Sequence, residues 1–214
     1  MKKLKHRGDL IKETYERIGA TSYLELGLEK SPRAPFKLIS SSSKHSVDLN
    51  TKTKPTYGLS TDAFFDNLNA GKLNLPSNYK WDIIFIDACH AAEFVYRDLI
   101  NSLEHLNDDG IIFMHDVLPR SYQYTLERPL GKGHAQDAWK VFHFLLKTMP
   151  EVHGCTFRES HGGLGAVIKN PSQTRPLLNK TKNVFYSFRG MNGDTQKMLN
   201  EIPQSKFIQW HKKP

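Results

Sequence analysis

Cysteine is nearly absent. The two in 214 residues, Cys89 and Cys155, make neither a disulfide framework nor a metal knuckle, and a reducing, cytoplasmic setting is the expectation. No apolar run approaches the roughly 20 residues of a membrane span. The basic start, Met1 to Leu10, leads into no hydrophobic stretch, so no signal peptide is expected. Internal repeats are missing too. What is present, 38% apolar and 24% charged residues with 12 Phe, fits a soluble globular chain built on one main core. It excludes a disordered tail, a collagen and a coiled coil.

The net charge is +8, and it sits at the ends. Residues 1–13 carry +3 and residues 170–214 carry +6, while 14–169 sum to −1. A near-neutral body with basic flanks suits an anionic substrate or surface better than a nucleic-acid groove. Solvated tails kept basic for solubility give the same pattern.

From Tyr23 onward, short β-rich runs alternate with helical ones. Tyr23 to Gly27 reads as a strand ending on glycine, Pro32 to about Ser41 as a short helix, and Lys44 to Leu49 as a second strand. Thr56 to Ser60 reads as a weak third. Ser60-Thr61-Asp62 has the hydroxyl and carboxylate groups of a helix start. Trp81 to Asp87 is a mostly apolar run ending in a carboxylate, as in a parallel strand buried on both faces. A helix from about Ala91 to Leu106 follows, then an Asn107-Asp108-Asp109-Gly110 turn and a second buried strand, Ile111 to Met114, ending at His115-Asp116. Residues 118–133 read as a long binding loop, residues from about Ala135 to Thr148 as a helix, and Val152–Arg158 with Leu164–Ile168 as an antiparallel hairpin. This β-α-β alternation predicts an α/β fold with a doubly wound sheet. The domain reading is 1–170, with 171–214 a basic C-terminal appendage packed on it by Leu177, Phe185, Tyr186, Phe188 and Trp210.

Ligands of open α/β sheets bind beyond the carboxyl ends of the strands. Four ends here carry polar residues that must converge: Glu25-Leu26-Gly27, Asp48, Asp87 and His115-Asp116. Gly27 lets the backbone approach a ligand closely. Asp48, 21 residues beyond it, is placed to accept hydrogen bonds from ribose hydroxyls. A dinucleotide would want three glycines in the first turn. This turn has one, flanked by Glu25 and Glu29, which disfavours phosphate and suits the sulfonium and ammonium groups of S-adenosylmethionine.

With these residues the chain resembles the class I S-adenosylmethionine-dependent methyltransferases, and more narrowly a bacterial and viral group. The matching segments are Tyr23 to Gly27, Val47-Asp48-Leu49-Asn50, Ser60 to Phe65, Asp82 to His90, His115-Asp116 and Asp137-Ala138-Trp139-Lys140. The resemblance, over about residues 7–170, implies a Rossmann-like doubly wound sheet of seven strands, mostly parallel, with a terminal antiparallel hairpin. It implies that Glu25 and Gly27 line the methionine part of the cofactor and that Thr61-Asp62 sit at the adenine edge, with Asp87 also in the cofactor-binding set. Where the family usually has a second glycine in the first loop, this chain has Ser31-Pro32.

Methyl transfer from a sulfonium to a hydroxyl needs positioning and removal of a proton. Two ways stay open. Asp87 and Asp116 can hold a divalent, magnesium-like cation that lowers the pKa of a coordinated hydroxyl, as acidic strand ends do in catechol and macrolide-sugar O-methyltransferases. Without metal, His90 or His115 acts as general base with Asp116 beside them. The expected acceptor is a sugar or glycan hydroxyl, and Arg120, Arg128 and Lys132 with the basic C-terminal appendage motivate an anionic one. Alternatives are another small-molecule acceptor, a nucleic acid, or a non-catalytic cofactor-binding module. The nucleic-acid reading lacks the aromatic-proline tetrad expected for flipped-base amines. His105 reads as a surface or core-edge residue and Trp139 as a core residue, rather than as site residues.

Overall fold

The chain is described here from a computed structural model covering residues 6–118, 136–157, 162–170 and 201–202. The expected loop 118–133 beyond Leu118, His161, and the appendage apart from Glu201–Ile202 lie outside the described residues.

In chain order the elements are α1 (Arg7–Ile18), β1 (Ser22–Leu26), α2 (Pro35–Leu38), β2 (Ser43–Val47), α3 (Thr61–Asn69), β3 (Trp81–Ile86), α4 (Ala92–Glu104), β4 (Leu106–His115), α5 (Ala138–Thr148), β5 (Val152–Phe157), β6 (Leu164–Lys169) and β7 (Glu201–Ile202). The sheet order is β2-β1-β3-β4-β6-β5-β7. Among the described residues it consists of six full strands and a two-residue seventh. Only β6 runs against the rest, antiparallel to both β4 and β5, so the expected terminal hairpin forms with its second strand inserted next to β4.

Strand periodicity builds the layers. Leu24, Leu26, Ile84, Ile86, Ile112 and Met114 face one side, where they pack with Phe64 and Leu68 of α3, Val95 and Leu99 of α4 and Phe142 of α5. Tyr23, Ile83, Phe85, Ile111 and Phe113 face the other, under Leu10, Ile11 and Tyr15 of α1. Both faces of the central strands are covered, which is why β3 and β4 read as continuous apolar runs. Trp139 is buried as expected, and His105, expected at the surface or core edge, is buried as well, hydrogen-bonded to the Tyr79 carbonyl and to Asn69.

Several expectations need correcting. Helix α1 lies before the first expected element; Leu10, Ile11, Tyr15 and Ile18 give it an apolar stripe, and Gly19, at φ 67°, ends it. The helix expected over Pro32–Ser41 shrinks to four residues beginning at Pro35. Beyond it the serines bond backbone instead, Ser41 Oγ donating to the Thr21 carbonyl and accepting from Ser43 N. Thr56–Ser60 is no strand but a segment making a single bridge, Val47 to Tyr57. Asn107 to Gly110 is not a turn. These residues enter β4 through a register shift, Trp81 pairing with Leu106 and Ile83 with Ile111, and the Asn107 amide donates to Asp82 Oδ1 at 2.7 Å.

Candidate active site

The register of the parallel strands aligns the site. Leu26 pairs with Val47 on one side and with Ile86 on the other, and Ile86 pairs with Met114. The next residue on each strand therefore falls in one row along the carboxyl edge: Asp48, Gly27, Asp87, His115. Adjacent members are about 4.8 Å apart in the strand-pairing direction. Strand order reverses between β1 and β3, so Gly27 and Asp87 flank the switch point where such sheets open a crevice.

Gly27 is required there. Its φ is +87°, and a β-carbon would collide with the Asp87 carbonyl. Across this turn Asp48 Oδ2 accepts from Leu28 N at 2.9 Å, and Oδ1 accepts from Asn50 N at 2.7 Å. Thr53 Oγ1 lies 3.4 Å from Oδ2 as a third contact, and since a carboxylate has about four acceptor sites, Asp48 keeps capacity for a further hydroxyl.

Asp87 is the hub. Its Oδ1 lies 3.3 Å from His90 Nε2 and 3.1 Å from His115 Nδ1, and its Oδ2 accepts from Arg7 Nη2 at 3.2 Å. Burial works to raise its pKa, but the imidazoles of His115 and His90 and the Arg7 guanidinium outweigh it and hold Asp87 far below the usual carboxylate range. Asp116 closes the group, its Oδ2 lying 3.5 Å from His90 Nδ1 and 3.4 Å from His115 Nδ1. Burial raises its pKa. Asp116 also has a left-handed backbone, φ 56°, and Gly162 presses so close that a β-carbon there would strike Asp116 Oδ1. The start of α5 joins the site through its backbone, Asp137 N donating to the His90 carbonyl at 3.1 Å.

The other expected residues sit differently. Glu25 points to the α1 side, fully buried, accepting from Tyr23 Oη at 2.6 Å and Phe36 N at 2.8 Å. Burial raises its pKa to about 8, so it is neutral at pH 7 and braces α2 beneath the Gly27 turn. Asp62 forms a two-point ion pair with Arg97 of α4 at 2.8 and 2.9 Å, Thr61 faces the buried Asp98, and Ser60 caps α3 through Ala63 N.

The donor atoms of Asp87, His90 and His115 all lie within 4.8 Å of one another, and His115 Nε2 is buried without a hydrogen-bond partner among the described residues. One carboxylate and two imidazoles fit a divalent ion, and a set this rich in nitrogen suits a transition metal better than magnesium. Asp116, grouped with Asp87 in the sequence reading, stands beside this trio rather than in it. Arg7 was not anticipated. It belongs to the helix that the sequence reading passed over, and the apolar stripe of α1 was the signal that could have revealed it.

Residues 20–117 match the model of a family described as a methyltransferase domain. No curated protein matches the chain in sequence. Among solved structures it is similar to an O-methyltransferase from Bacillus cereus in complex with SAH (17% identity, TM-score 0.56, 76% of this chain and 80% of that one). It is also similar to the O-methyltransferase TomG from Streptomyces achromogenes, involved in tomaymycin synthesis and in complex with SAM (13%, TM-score 0.52, 77% and 79%). A third is the SAH-bound methyltransferase PaMTH1 from Podospora anserina (15%, TM-score 0.53, 77% and 78%).

Proposed function

We propose that this chain is a methyltransferase that transfers the methyl group of S-adenosylmethionine to a hydroxyl, with a sugar or glycan hydroxyl as acceptor; the matched methyltransferase-domain model and the fold support the reading. The observation that carries the reading is the row Asp48–Gly27–Asp87–His115, which joins a ribose-type carboxylate, an open glycine turn and a carboxylate–imidazole cluster on one edge. In this reading Asp48 accepts from a ribose hydroxyl. Gly27 lets the methionine part pass over the sheet edge, and Thr61-Asp62 bound the adenine side.

The chain's own groups then do two jobs. Asp87 fixes the His90 and His115 rings by their contacts with Oδ1. One imidazole takes the proton of the acceptor hydroxyl as the oxygen attacks the methyl carbon, and the sulfonium leaves as a neutral thioether. Asp116 steadies the imidazolium that results. Asp87, His90 and His115 would also hold a divalent cation, which when bound supplies a lower pKa for a coordinated hydroxyl. The sugar acceptor rests on the family resemblance, and its anionic character on Arg120, Arg128 and Lys132.

The test is a labelled-methyl transfer assay with sugars, catechols and oligonucleotides, with and without chelator. Transfer to sugars above the other two classes supports the proposal. Transfer to catechols or oligonucleotides alone, or to none of them with the donor bound, contradicts it.

A further inference from the structure

Asp87 is the one carboxylate of the trio it forms with His90 and His115, and its charge is already shared with a cation. Its Oδ1 meets the two imidazoles, while Oδ2 lies 3.2 Å from Arg7 Nη2. The Arg7 side chain is 14% exposed and that of Asp87 12%, so water and salt screen the pair little. Glu29 also takes Nη2, at 2.8 Å, but it is 33% exposed and offsets only part of the charge. Among the ion pairs of the described residues, Arg7 alone brings an arginine or lysine to Asp87. It comes from α1, outside the matched span of residues 20–117.

A guanidinium does not lose its proton in a protein, so Oδ2 faces a permanent positive charge. A divalent ion held by Oδ1 and the imidazoles would share one carboxylate with that charge. Two effects then oppose each other. A hydrogen-bond donor behind a ligating carboxylate fixes its direction and strengthens a metal site. A cation in that place also repels the ion, and where screening is weak the repulsion acts over several ångströms. The trio has a single negative charge to offer, and Arg7 neutralises it, so the repulsion wins. From this geometry we propose that Arg7 is a built-in cation that lowers the affinity of Asp87, His90 and His115 for divalent ions and leaves proton removal to the imidazoles. By holding Oδ2 it also denies the two-oxygen grip that hard, oxygen-seeking ions use. The inference rests on the reading of these three residues as the catalytic cluster and deepens it, since it selects the metal-free route.

The experiment is calorimetric titration of the chelator-treated full chain with zinc, for the wild type and for Arg7→Met, Arg7→Gln and Arg7→Lys. Arg7→Met removes charge and donor together, whereas Arg7→Gln keeps a donor without the charge. Both should bind zinc roughly 10- to 100-fold more tightly than the wild type, the scale on which groups behind a ligand change metal affinity, here with the opposite sign. Arg7→Lys keeps the charge and should stay within about threefold of the wild type. The gain should vanish when His115→Ala is added to Arg7→Gln. Zinc binding unchanged or weaker in both uncharged variants overturns the inference, as does a gain that survives loss of His115. Wild-type methyl transfer abolished by chelator and restored by a divalent ion overturns it too. If no acceptor is methylated while the zinc pattern holds, the catalytic reading falls and the effect of Arg7 on the ion stands by itself.

Discussion

His115 Nδ1 lies 3.1 Å from Asp87 Oδ1, the same oxygen that His90 Nε2 approaches at 3.3 Å. One carboxylate oxygen thus orients two imidazoles, one at the end of β4 and the other in the loop between β3 and α4. Loss of the carboxylate charge in Asp87→Asn should cut kcat by roughly 100- to 10,000-fold, the range for a misplaced general base. His90→Ala and His115→Ala should each fall within that range or somewhat short of it. Full turnover in both histidine variants would remove the imidazoles from the chemistry.

The donor set makes a prediction about ions. Added to chelator-treated protein, zinc or another transition metal should bind more tightly than magnesium, because imidazole nitrogen suits those ions and magnesium favours oxygen. Calorimetry with each ion reads this directly. Tighter magnesium binding would shift the site toward Asp87 and Asp116.

Glu25 couples stability to pH with a sign opposite to that of an ion-paired carboxylate. Its pKa is about 8 in the folded chain, against an ordinary 4.5, because it is buried. Between those values the folded chain keeps a proton that the unfolded chain releases. Glu25 therefore lowers stability progressively as pH rises through that window, by up to about 1.4 kcal/mol per pH unit. Glu25→Gln, which keeps the shape and stays neutral, should flatten the profile. Denaturant midpoints measured across the window check it, and an unchanged slope would mean that Glu25 is ionised in the fold.

Gly27 and Gly162 should be intolerant of side chains for the same two reasons, positive φ and a blocked β-carbon position. Gly162→Ala pushes on Asp116, and Gly27→Ala pushes on the Asp87 backbone. Each should cost about 2–4 kcal/mol from left-handed strain and overpacking together. Thermal unfolding measures the cost. A change below about 0.5 kcal/mol would show that the backbone there relaxes freely.

Much of this was legible in the sequence. Alternating and continuous apolar runs gave β1, β3, β4, β5 and β6, and the polar residue ending each parallel strand gave the row at the site. The register that puts Asp48, Gly27, Asp87 and His115 in line was not legible, since pairing depends on contacts between distant segments. Asn107 to Gly110 shows how tertiary pairing overrides turn chemistry: its sequence favours a turn, yet Asp82 and the β3 edge hold it extended. The partners of Glu25 and Asp62 were equally hidden, because Phe36 N and Arg97 come to them only through packing. Arg7 went unseen because its helix precedes the first strand and its charged face masks the apolar stripe.

The central claim is that the Gly27 turn and Asp48 together hold an adenosyl donor. Calorimetric titration with S-adenosylmethionine, in parallel with NAD, on the wild type and on Asp48→Ala tests it most directly. The account predicts that the wild type binds S-adenosylmethionine in preference to NAD, and that Asp48→Ala weakens this binding by roughly tenfold or more, the loss of a hydroxyl hydrogen bond to a charged acceptor. Tighter binding of NAD, or an affinity for S-adenosylmethionine unchanged in Asp48→Ala, would contradict it.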